Sequence, residues 1–458
     1  MPRNEKTMSF DKLRKMTEDS SSVIHFIGIG GVSMYSLARL VLTRGARVTG
    51  SDVLENGRIR DLASMGVHIT VGHSASNVVG ATLVVYSQAI SEGNPELAAA
   101  REYGIPSISR AQLLGSLMIG FENRIGISGT HGKSTVTAML DLILCTTYKP
   151  TTLCGADLPN GSPLRIGESD YLVYEACEYK DSFLSFSPTV AVALNLELDH
   201  TDYFHGVKQL RESYLKSLSR ASELAILNFD DENLRAIIPK IKKRVITFGN
   251  SVGCDYRYRI VSFKSSGFVF TLERNKEEIG RFEINIPGVF NVTNAAAAAV
   301  TALELGLEPG AIAFALASYR GIPRRLERIG EHLGRQVFYD YAHHPTEIRA
   351  GINALKHLTH EPITVIFKPH TFSRTKALWG DFLLSLSLAD HVIVTDVYPA
   401  REEPIEGISS VRLARELGAK ATYSPDERVS AFVDTTTEGA IVIMGAGDLD
   451  IVRKSLIM

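Results

Sequence analysis

The stretch Gly129-Thr-His-Gly-Lys-Ser-Thr135 lies between an apolar strand pattern, 124–128, and an amphipathic helix pattern. The helix is predicted because apolar residues recur at positions 136, 139, 140, 143 and 144, which share one helical face. A glycine-rich turn that enters a helix points backbone N–H groups and the positive end of the helix dipole at an anion. The stretch therefore predicts a phosphate-binding loop in a nucleotide-binding α/β fold.

The side chains of this loop suit a nucleoside triphosphate. Lys133 supplies an ammonium group for phosphate oxygens, and Ser134 supplies a hydroxyl that can coordinate Mg²⁺. The spacing departs by one place from the usual pattern, which requires glycine where the chain has Ile127. A purely structural turn with a surface lysine is the alternative, and the strand and helix on either side favour the nucleotide site.

Composition describes an ordinary globular protein of several domains. The chain has 458 residues, 45% of them hydrophobic and 22% charged, which predicts about three domains. A formal net charge of −2 gives no electrostatic reason to expect a nucleic-acid partner. The four cysteines form no CxxC pair and the N-terminus is polar, without a long apolar run. We expect a cytoplasmic protein that does not insert into a membrane.

Short apolar runs alternate with helical periodicity along the whole chain. This alternation predicts parallel sheets and an α/β fold. We expect three successive α/β domains: a Rossmann-like domain over 1–120, a central phosphate-loop domain with a mixed sheet over 121–321, and a Rossmann-like domain over 322–458. The predicted strands are 23–29, 47–51, 67–71, 82–86, 124–128, 171–174, 189–194, 337–341, 363–367, 391–395 and 440–444, with antiparallel strands over 256–286 and an Ala-rich helix after Asn294.

The first strand runs into the glycine-rich turn HFIGIGG at 25–31. It resembles a dinucleotide fingerprint, although the third glycine is replaced by Ser33. Asp52 closes the second strand, where a carboxylate can bond a ribose. Such a turn suits a nucleotide or a nucleotide-sugar diphosphate, and it also fits tight strand–helix packing. It raises an NAD(P)-dependent oxidoreductase as an alternative function.

Polar residues follow the next predicted strands of the central domain. Glu175 ends an apolar run, where its carboxylate can face the phosphate loop and bind Mg²⁺. Glu178 could support it or be solvated. Asn195 and the pair Asp199-His200 close the following strand. Taken alone, such residues are usually loop caps. Beside Lys133 they favour ligand contact, because the carboxyl ends of parallel strands converge on one crevice.

The third domain carries two further polar groups. Asp340 precedes His343-His344-Pro345, and because Pro345 suits the first turn of a helix, both histidines are predicted on the exposed loop before it. Adjacent histidines diverge and make a poor zinc site. His370 and Arg374 follow another strand and suit a carboxylate or a phosphate. At the domain boundary, Arg324-Arg325 could deliver a guanidinium to a phosphoryl group.

The chain as a whole resembles the Mur ligases. The matching segments occur in order in all three predicted domains: HFIGIGG at 25–31, SD at 51–52, GTHGKST at 129–135, EACE at 175–178, SFL at 182–184, NLELDH at 195–200, NVTNAAAA at 291–298, RRLERIG at 324–330, YDYAHHPTEIRA at 339–350, PHTFSRT at 369–375, VYPAREE at 397–403 and GAGDLD at 445–450. One segment is loosely specific. The ordered set over nearly the full length is highly specific for the family.

The resemblance implies an ATP-dependent carboxylate–amine ligase of three domains, which bind the UDP-sugar, ATP and the amino acid in turn. It is strongest to the members that join L-alanine to the lactyl carboxylate of UDP-N-acetylmuramate through an acyl phosphate. The implied partners are therefore UDP-N-acetylmuramate and L-alanine, and the implied cofactors are ATP and Mg²⁺. The implied role is peptidoglycan synthesis, and with it cell wall biogenesis, cell shape and cell division.

The resemblance also assigns roles to matching residues. It implies a catalytic set of Lys133, Glu175, His200, Arg325 and Asp340. ATP contacts are implied for Gly129, Thr130, His131, Gly132, Lys133, Ser134, Thr135, Asn291, Asn294, Arg325 and Asp340. UDP-sugar contacts are implied for Gly28, Gly30, Gly31, Asp52 and Ser87. Metal ligands are implied at Ser134, Glu175 and His200, and positions on the amino-acid side at His344, His370 and Arg374.

Four features depart from the family pattern. Ser134 replaces a threonine, Gln88 a serine near the UDP-sugar phosphates, and Phe290 a histidine before Asn291. The segment 177–181 lacks the family's Asp and Ser-Asp after the first Glu and carries Tyr179-Lys180 instead. Two alternative functions stay open beside the leading one. The first is the related ligase that attaches a recycled murein tripeptide to the same sugar. The second is a non-catalytic nucleotide-binding paralogue, against which the joint presence of all five implied catalytic residues argues: Lys133, Glu175, His200, Arg325 and Asp340. An oxidoreductase explains neither the phosphate loop nor the third domain.

Overall fold

A computed structural model describes residues 8–457 except 265, 401 and 437, with the backbone alone at 435 and 436. The strands belong to three sheets. The described chain divides into two compact units. The first unit runs to Asn195 and resumes over Arg211–Ile246. The second comprises Leu196–Leu210 and the chain from Thr247 onward.

The N-terminal part of the first unit is a five-stranded parallel sheet with helices. Its elements are α1 (Phe10–Glu18), β1 (Val23–Ile27), α2 (Val32–Arg44), β2 (Arg47–Asp52), α3 (Gly57–Ser64), β3 (His68–Val71), β4 (Leu83–Tyr86), α4 (Pro95–Glu102), β5 (Ser107–Ser109) and α5 (Arg110–Met118). The strand order is β3-β2-β1-β4-β5, and each neighbouring pair is parallel. The apolar strands are buried because helices cover the sheet.

The rest of the first unit carries the phosphate loop. Its elements are β6 (Asn123–Ser128), α6 (Lys133–Leu144), β7 (Thr151–Leu153), β8 (Leu164–Arg165), β9 (Tyr171–Glu175), β10 (Val190–Ala193), α7 (Val207–Leu218), β11 (Leu224–Asn228), α8 (Glu232–Arg235) and β12 (Arg244–Gly249). Both α7 and β12 cross the boundary between the units. Strand order within the unit is β11-β10-β6-β9-β7-β8, parallel except for the β7–β8 pair. The loop thus leaves the strand at the centre of this run.

The second unit begins with an antiparallel ribbon. Its elements are β13 (Tyr256–Lys264), β14 (Gly267–Arg274), β15 (Glu277–Ile284), α9 (Phe290–Glu304) and α10 (Pro309–Ser318). The strands are ordered β15-β14-β13, and the end of β12 pairs in parallel with β13. The Ala-rich face of α9 is fully buried, because small side chains let a helix approach a sheet closely.

The C-terminal part of the second unit is a doubly covered sheet. Its elements are β16 (Glu327–His332), β17 (Arg335–Asp340), α11 (Pro345–Thr359), β18 (Ile363–Phe367), α12 (Phe372–Ala377), α13 (Trp379–Leu386), β19 (His391–Val394), α14 (Ser410–Leu417), β20 (Ala421–Tyr423), α15 (Val429–Thr436), β21 (Ala440–Met444) and α16 (Asp450–Leu456). The order is β16-β17-β21-β18-β19-β20. Only β16 is antiparallel among the described strands of this sheet.

Two hydrophobic cores show that helices cover both faces of this sheet. One core contains Phe338 and Phe367 with residues of α11, α13 and α14. The other contains Val337 and Ile366 with residues of α15 and α16. Successive strand residues point to opposite faces, so neighbours in β17 and β18 enter different cores.

The predicted α/β fold class is confirmed, and so is a mixed middle sheet. The Ala-rich helix was predicted to start after Asn294, which is wrong, because α9 begins at Phe290. The predicted domain boundaries, 1–120, 121–321 and 322–458, stay a prediction.

Candidate functional site

The phosphate loop is built on glycine backbone conformations. Gly132 precedes α6 with φ +84°, in the left-handed region that glycine adopts without a steric penalty. The loop is tied down by Asn195 at the end of the next strand. The Asn195 Oδ1 atom accepts from the His131 N–H at 2.8 Å, and its Nδ2 donates to the His131 carbonyl at 3.0 Å. This two-way contact fixes the loop in front of the helix N-terminus.

Lys133 is the first residue of α6, and its ammonium turns back under the loop. Its Nζ donates to the carbonyl oxygens of Gly129 and Thr130 and lies 3.2 Å from Glu178 Oε2. Burial opposes the charge, yet nearby acidic groups, Glu178 foremost, hold the pKa of Lys133 well above its ordinary value. The predicted phosphate-binding lysine is therefore charged and already paired in the chain alone.

Glu178 is not a solvated residue, which corrects one of the two interpretations of the sequence. It is 2% exposed and faces Lys133 rather than water. The sequence named it only as a possible support for Glu175. Its pairing could not be read from spacing, since 45 residues separate the two partners.

Glu175 and Ser134 are brought together by the chain around Cys154. The Cys154 Sγ lies 3.6 Å from the Ser134 carbonyl oxygen and 3.4 Å from Glu175 Oε1. The Gly155 N–H donates to the same carboxylate oxygen at 2.5 Å. A Cβ at residue 155 would lie 3.0 Å from both Glu175 oxygens, so a larger residue there would displace the carboxylate by a few tenths of an ångström. Cys154 thus links the backbone of Ser134 to the Glu175 carboxylate, and a carboxylate and a serine hydroxyl are oxygen ligands that suit Mg²⁺.

Tyr214 is a residue near the loop that the sequence did not indicate. It lies on α7, is fully buried, and packs edge-on against Phe183 with ring centroids 5.3 Å apart. Burial, and after it the charge of Glu178, raise the pKa of Tyr214 well above its ordinary value. An apolar helix pattern alone does not distinguish such a tyrosine from a packing residue.

The N-terminal glycine-rich turn is closed by Asp52. The Asp52 Oδ2 atom accepts from the Gly30 N–H at 2.8 Å, and the Gly31 N–H bonds the Gly28 carbonyl at 3.2 Å. A Cβ on Gly30 would lie 2.6 Å from Asn56 Nδ2, so the turn requires glycine there. The predicted Asp52 and the three glycines are therefore in mutual contact.

Ser87 lies in the same N-terminal part of the first unit, and an open cleft is lined by residues of this part together with residues from 157–163. The Ser87 hydroxyl accepts from the Ala89 N–H at 3.3 Å, which makes it a turn residue at the end of β4. The cleft has a volume of about 410 Å³. Its lining comprises Tyr35, Asn56, Gly57, Arg58, Asp61, Asp157, Gly161 and Pro163.

Asn291 and Asn294 meet within the first turns of α9. Both are 7% exposed. The Asn294 Nδ2 donates to Asn291 Oδ1 at 3.1 Å, and the Asn291 Nδ2 donates to the Pro287 carbonyl at 2.7 Å. The structure thus pairs the two asparagines that the family resemblance assigned to one ligand.

Asp340 and Arg325 form a second pair in this unit. Asp340 is 7% exposed at the end of β17, and its Oδ1 accepts from the Ala342 N–H at 3.1 Å. Burial raises the pKa of Asp340 to about 7, although Arg325 opposes the shift. The Arg325 guanidinium also lies 3.7 Å from Glu347 and over the ring of Tyr341.

Arg374 is held by a carboxylate of the chain itself. Its Nε and Nη2 lie 3.0 and 2.9 Å from Asp199 Oδ1, with Nη2 3.1 Å from Oδ2. Although burial opposes it, Arg374 holds the pKa of Asp199 well below its usual range. The guanidinium also reaches His370 Nδ1 at 2.9 Å. Burial, and then Arg374, lower the pKa of His370 to about 3, so its imidazole is neutral at pH 7.

The two remaining predicted histidines lie in the second unit beside carboxylates. His200 has φ +52°, and its N–H donates to Asp199 Oδ1 at 2.7 Å. His344 was predicted on an exposed loop, which is wrong, since it is 3% exposed. It caps α11 by accepting from the Thr346 N–H at 3.3 Å, and this capping role turns its ring inward.

Comparison with known proteins identifies the family. The model described as "Mur ligase family, catalytic domain" matches residues 23–122, "Mur ligase middle domain" matches 127–302, and "Mur ligase, glutamate ligase domain" matches 324–451. A UDP-N-acetylmuramate–L-alanine ligase of Caldicellulosiruptor bescii is 41% identical over 448 residues, 94% of this chain and 98% of the relative. The chain is a Mur ligase. The relative of the same name from Clostridium acetobutylicum is 40% identical to this Mur ligase over 96% of the chain and 98% of its own length.

Solved structures agree with this assignment. The UDP-N-acetylmuramate-alanine ligase MurC of Thermotoga maritima superposes on this Mur ligase with a TM-score of 0.81 and 27% identity, covering 94% of this chain and 97% of its own. A murein peptide ligase of Psychrobacter arcticus gives a TM-score of 0.73 at 23% identity, covering 95% and 98%. The second likeness shows the fold alone.

Proposed function

We propose that this Mur ligase joins L-alanine to UDP-N-acetylmuramate at the expense of ATP. The observation that carries the proposal is full-length similarity, near 40% identity, to ligases named for this reaction. The phosphate loop with its paired lysine supports the use of ATP. In the proposed reaction the lactyl carboxylate takes the γ-phosphoryl group and ADP leaves. The L-alanine amine then attacks the acyl carbon, loses a proton and expels phosphate.

The residues of the first unit are suited to the phosphoryl-transfer step. The N-terminus of α6 and the loop N–H groups bind phosphate oxygens without a change of fold. The Lys133 ammonium stabilises negative charge on the group in transfer, which is worth about 3 kcal/mol for one such contact. Gly129 through Thr135 bind the phosphates, and Asn195 keeps the loop in place.

We assign one Mg²⁺ to Ser134 and Glu175, and we propose that His200 holds or orients a second near the acyl phosphate. The Glu175 carboxylate is oriented by the Gly155 N–H and Cys154, which leaves its second oxygen for an ion. A bound Mg²⁺ would neutralise phosphate charge and orient the triphosphate. Ser134 supplies the hydroxyl that a threonine supplies elsewhere in the family.

Roles in the second unit follow the same proposal. Asn291 and Asn294 bind the nucleotide, Arg325 its phosphates and Asp340 its ribose. His344, His370 and Arg374 lie towards the amino acid. Gly28, Gly30, Gly31, Asp52 and Ser87 bind the UDP-sugar.

We place the reaction in the cytoplasm. None of the four cysteines, all of which lie among the described residues, forms a disulfide, which suits a reducing compartment. Across the described residues, no helix combines the length and the apolar character that crossing a membrane requires.

The test is phosphate release from ATP and Mg²⁺ with UDP-N-acetylmuramate and one acceptor at a time. We expect release with L-alanine that depends on the sugar, and a fall of at least about 100-fold in Lys133→Ala. Lys149→Ala is the matched control, because that lysine is exposed and pairs only with Glu168 among the described contacts. Release with L-Ala-γ-D-Glu-meso-diaminopimelate alone would assign the chain to murein recycling. No release with any acceptor would refute the ligase.

A further inference from the structure

The ion pair between Lys133 and Glu178 lies beneath the phosphate loop. The Lys133 side chain is 16% exposed and that of Glu178 is 3% exposed. Nζ lies 3.2 Å from Oε2 and 3.5 Å from Oε1. Water does not screen a pair at this depth, so the two charges interact far more strongly than a surface pair.

The ammonium of Lys133 has no donor left for a phosphate oxygen. A lysine has three N–H donors, and Nζ has three partners, the carbonyls of Gly129 and Thr130 and the carboxylate of Glu178. Lys133 must therefore release one of these partners before it can bind a nucleotide phosphate.

Glu178 is the partner that a phosphate replaces most readily. The two carbonyls belong to the loop that wraps the phosphates, so they move with Lys133. Glu178 belongs to a different segment, after β9, and its charge has the same sign as that of the phosphates. A polyphosphate beside an unscreened carboxylate is repelled, whereas a phosphate in place of the carboxylate keeps the ammonium neutralised.

The geometry points to Glu178 as the resting counter-ion of Lys133, which the phosphates of the nucleotide displace. This inference rests on the proposed use of ATP and adds a residue that controls it. Glu178 is a positioning residue, because it acts on the nucleotide through Lys133. Glu178 keeps the buried ammonium charged and beneath the loop. A phosphate ligand must separate Glu178 from Lys133, and the free energy of this separation lowers the affinity for the ligand.

The experiment measures ADP affinity by calorimetry in EDTA, with no metal, sugar or amino acid present. Glu178→Gln keeps the size of the side chain but removes the charge, so we expect ADP to bind at least tenfold tighter than to the wild type. Glu178→Asp keeps the charge and should stay within about threefold of the wild type. Glu168→Gln, which removes an exposed carboxylate of the same unit, should change nothing. Equal or weaker binding by Glu178→Gln would overturn the inference.

A second measurement uses the wild-type chain and therefore needs no variant. In a crystal structure of the wild-type chain with ADP, the Lys133 Nζ and the nearer Glu178 oxygen should be more than 4 Å apart. A pair that stays at hydrogen-bonding distance would overturn the exchange. Both measurements test nucleotide binding alone. A chain that binds ADP but makes no product would therefore contradict the proposed ligase function and leave the proposed role of Glu178 intact.

Discussion

Glu96 shows how one buried carboxylate can organise the end of a sheet. It is fully buried on α4, and it accepts from Ser51 at 2.7 Å and Asn77 at 2.5 Å. His25 and His73 lie 3.5 and 3.4 Å away. Although burial opposes it, the hydrogen bonds, first from His25, lower the pKa of Glu96 to about 2. The charged form is therefore the stabilising one.

This pKa predicts an acid-sensitive stability. The folded-state pKa lies below the ordinary value of 4.5, so the contribution is present above about pH 4.5 and is lost as the pH falls towards 2. The shift corresponds to about 3 kcal/mol. Glu96→Gln should lose a similar free energy of unfolding at pH 7 and little at pH 2, measured by urea denaturation across that range. A loss that is equal at both pH values would show that the charge is not responsible, and Glu168→Gln serves as the exposed control.

Residues that act through local motifs could be predicted, and residues that act through distant partners could not. Lys133 and Ser134 follow from the spacing of a glycine-rich turn. Glu178 and Glu96 do not, because an acidic residue early in a helix or loop is equally common at the surface. Lys133 lies 45 residues from Glu178, and Ser51 lies 45 residues from Glu96, so only the folded chain brings these partners together.

At the level of elements, strands were easier to predict than helix starts. The strand patterns at 363–367 and 440–444 match β18 and β21 to the residue, because both are mostly apolar runs that are buried on both faces. The start of α9 was missed, since Phe290, Asn291 and Asn294 are poor indicators of a helix. The buried position of His344 was missed because a histidine is an uncommon helix cap.

The contact between Asp199 and Arg374 joins the segment 196–210 to α12. Both side chains are 10% exposed and bonded in a bidentate manner. Asp199→Asn leaves a buried guanidinium without its counter-charge, which costs about 3–5 kcal/mol. We expect faster amide hydrogen exchange over 196–210 and α12, together with a lower urea midpoint.

The matched control is Arg412→Gln, which breaks the exposed pair with Glu416 on α14 in the same unit. It should change the free energy of unfolding by less than about 1 kcal/mol. If Asp199→Asn lost as little free energy of unfolding as this control, the Asp199–Arg374 pair would contribute no more than an exposed pair. It would then not hold the segment 196–210 against α12.

The division of the whole molecule was beyond local reasoning. The periodicity of the sequence predicts where strands and helices occur along the chain, and we expected α/β domains that follow one another. The compact units are not successive, because Arg211–Ile246 belongs with the first unit while Leu196–Leu210 belongs with the second. Which segment returns to which sheet depends on packing between distant residues, and no single stretch of sequence contains that information.

ATP contacts are proposed for each unit by itself, and this predicts a protection pattern for the whole molecule. The proposed contacts are Gly129–Thr135 in the first unit, and Asn291, Arg325 and Asp340 in the second. A bound ligand stabilises the residues that it contacts against local opening. We expect a non-hydrolysable ATP analogue with Mg²⁺ to slow amide exchange at the loop and also at the starts of α9 and α11, measured by mass spectrometry. Lys133→Ala should lose both effects together, since it weakens binding of the same ligand. Protection confined to the first unit would remove Asn291, Arg325 and Asp340 from the nucleotide site while leaving the phosphate loop in it.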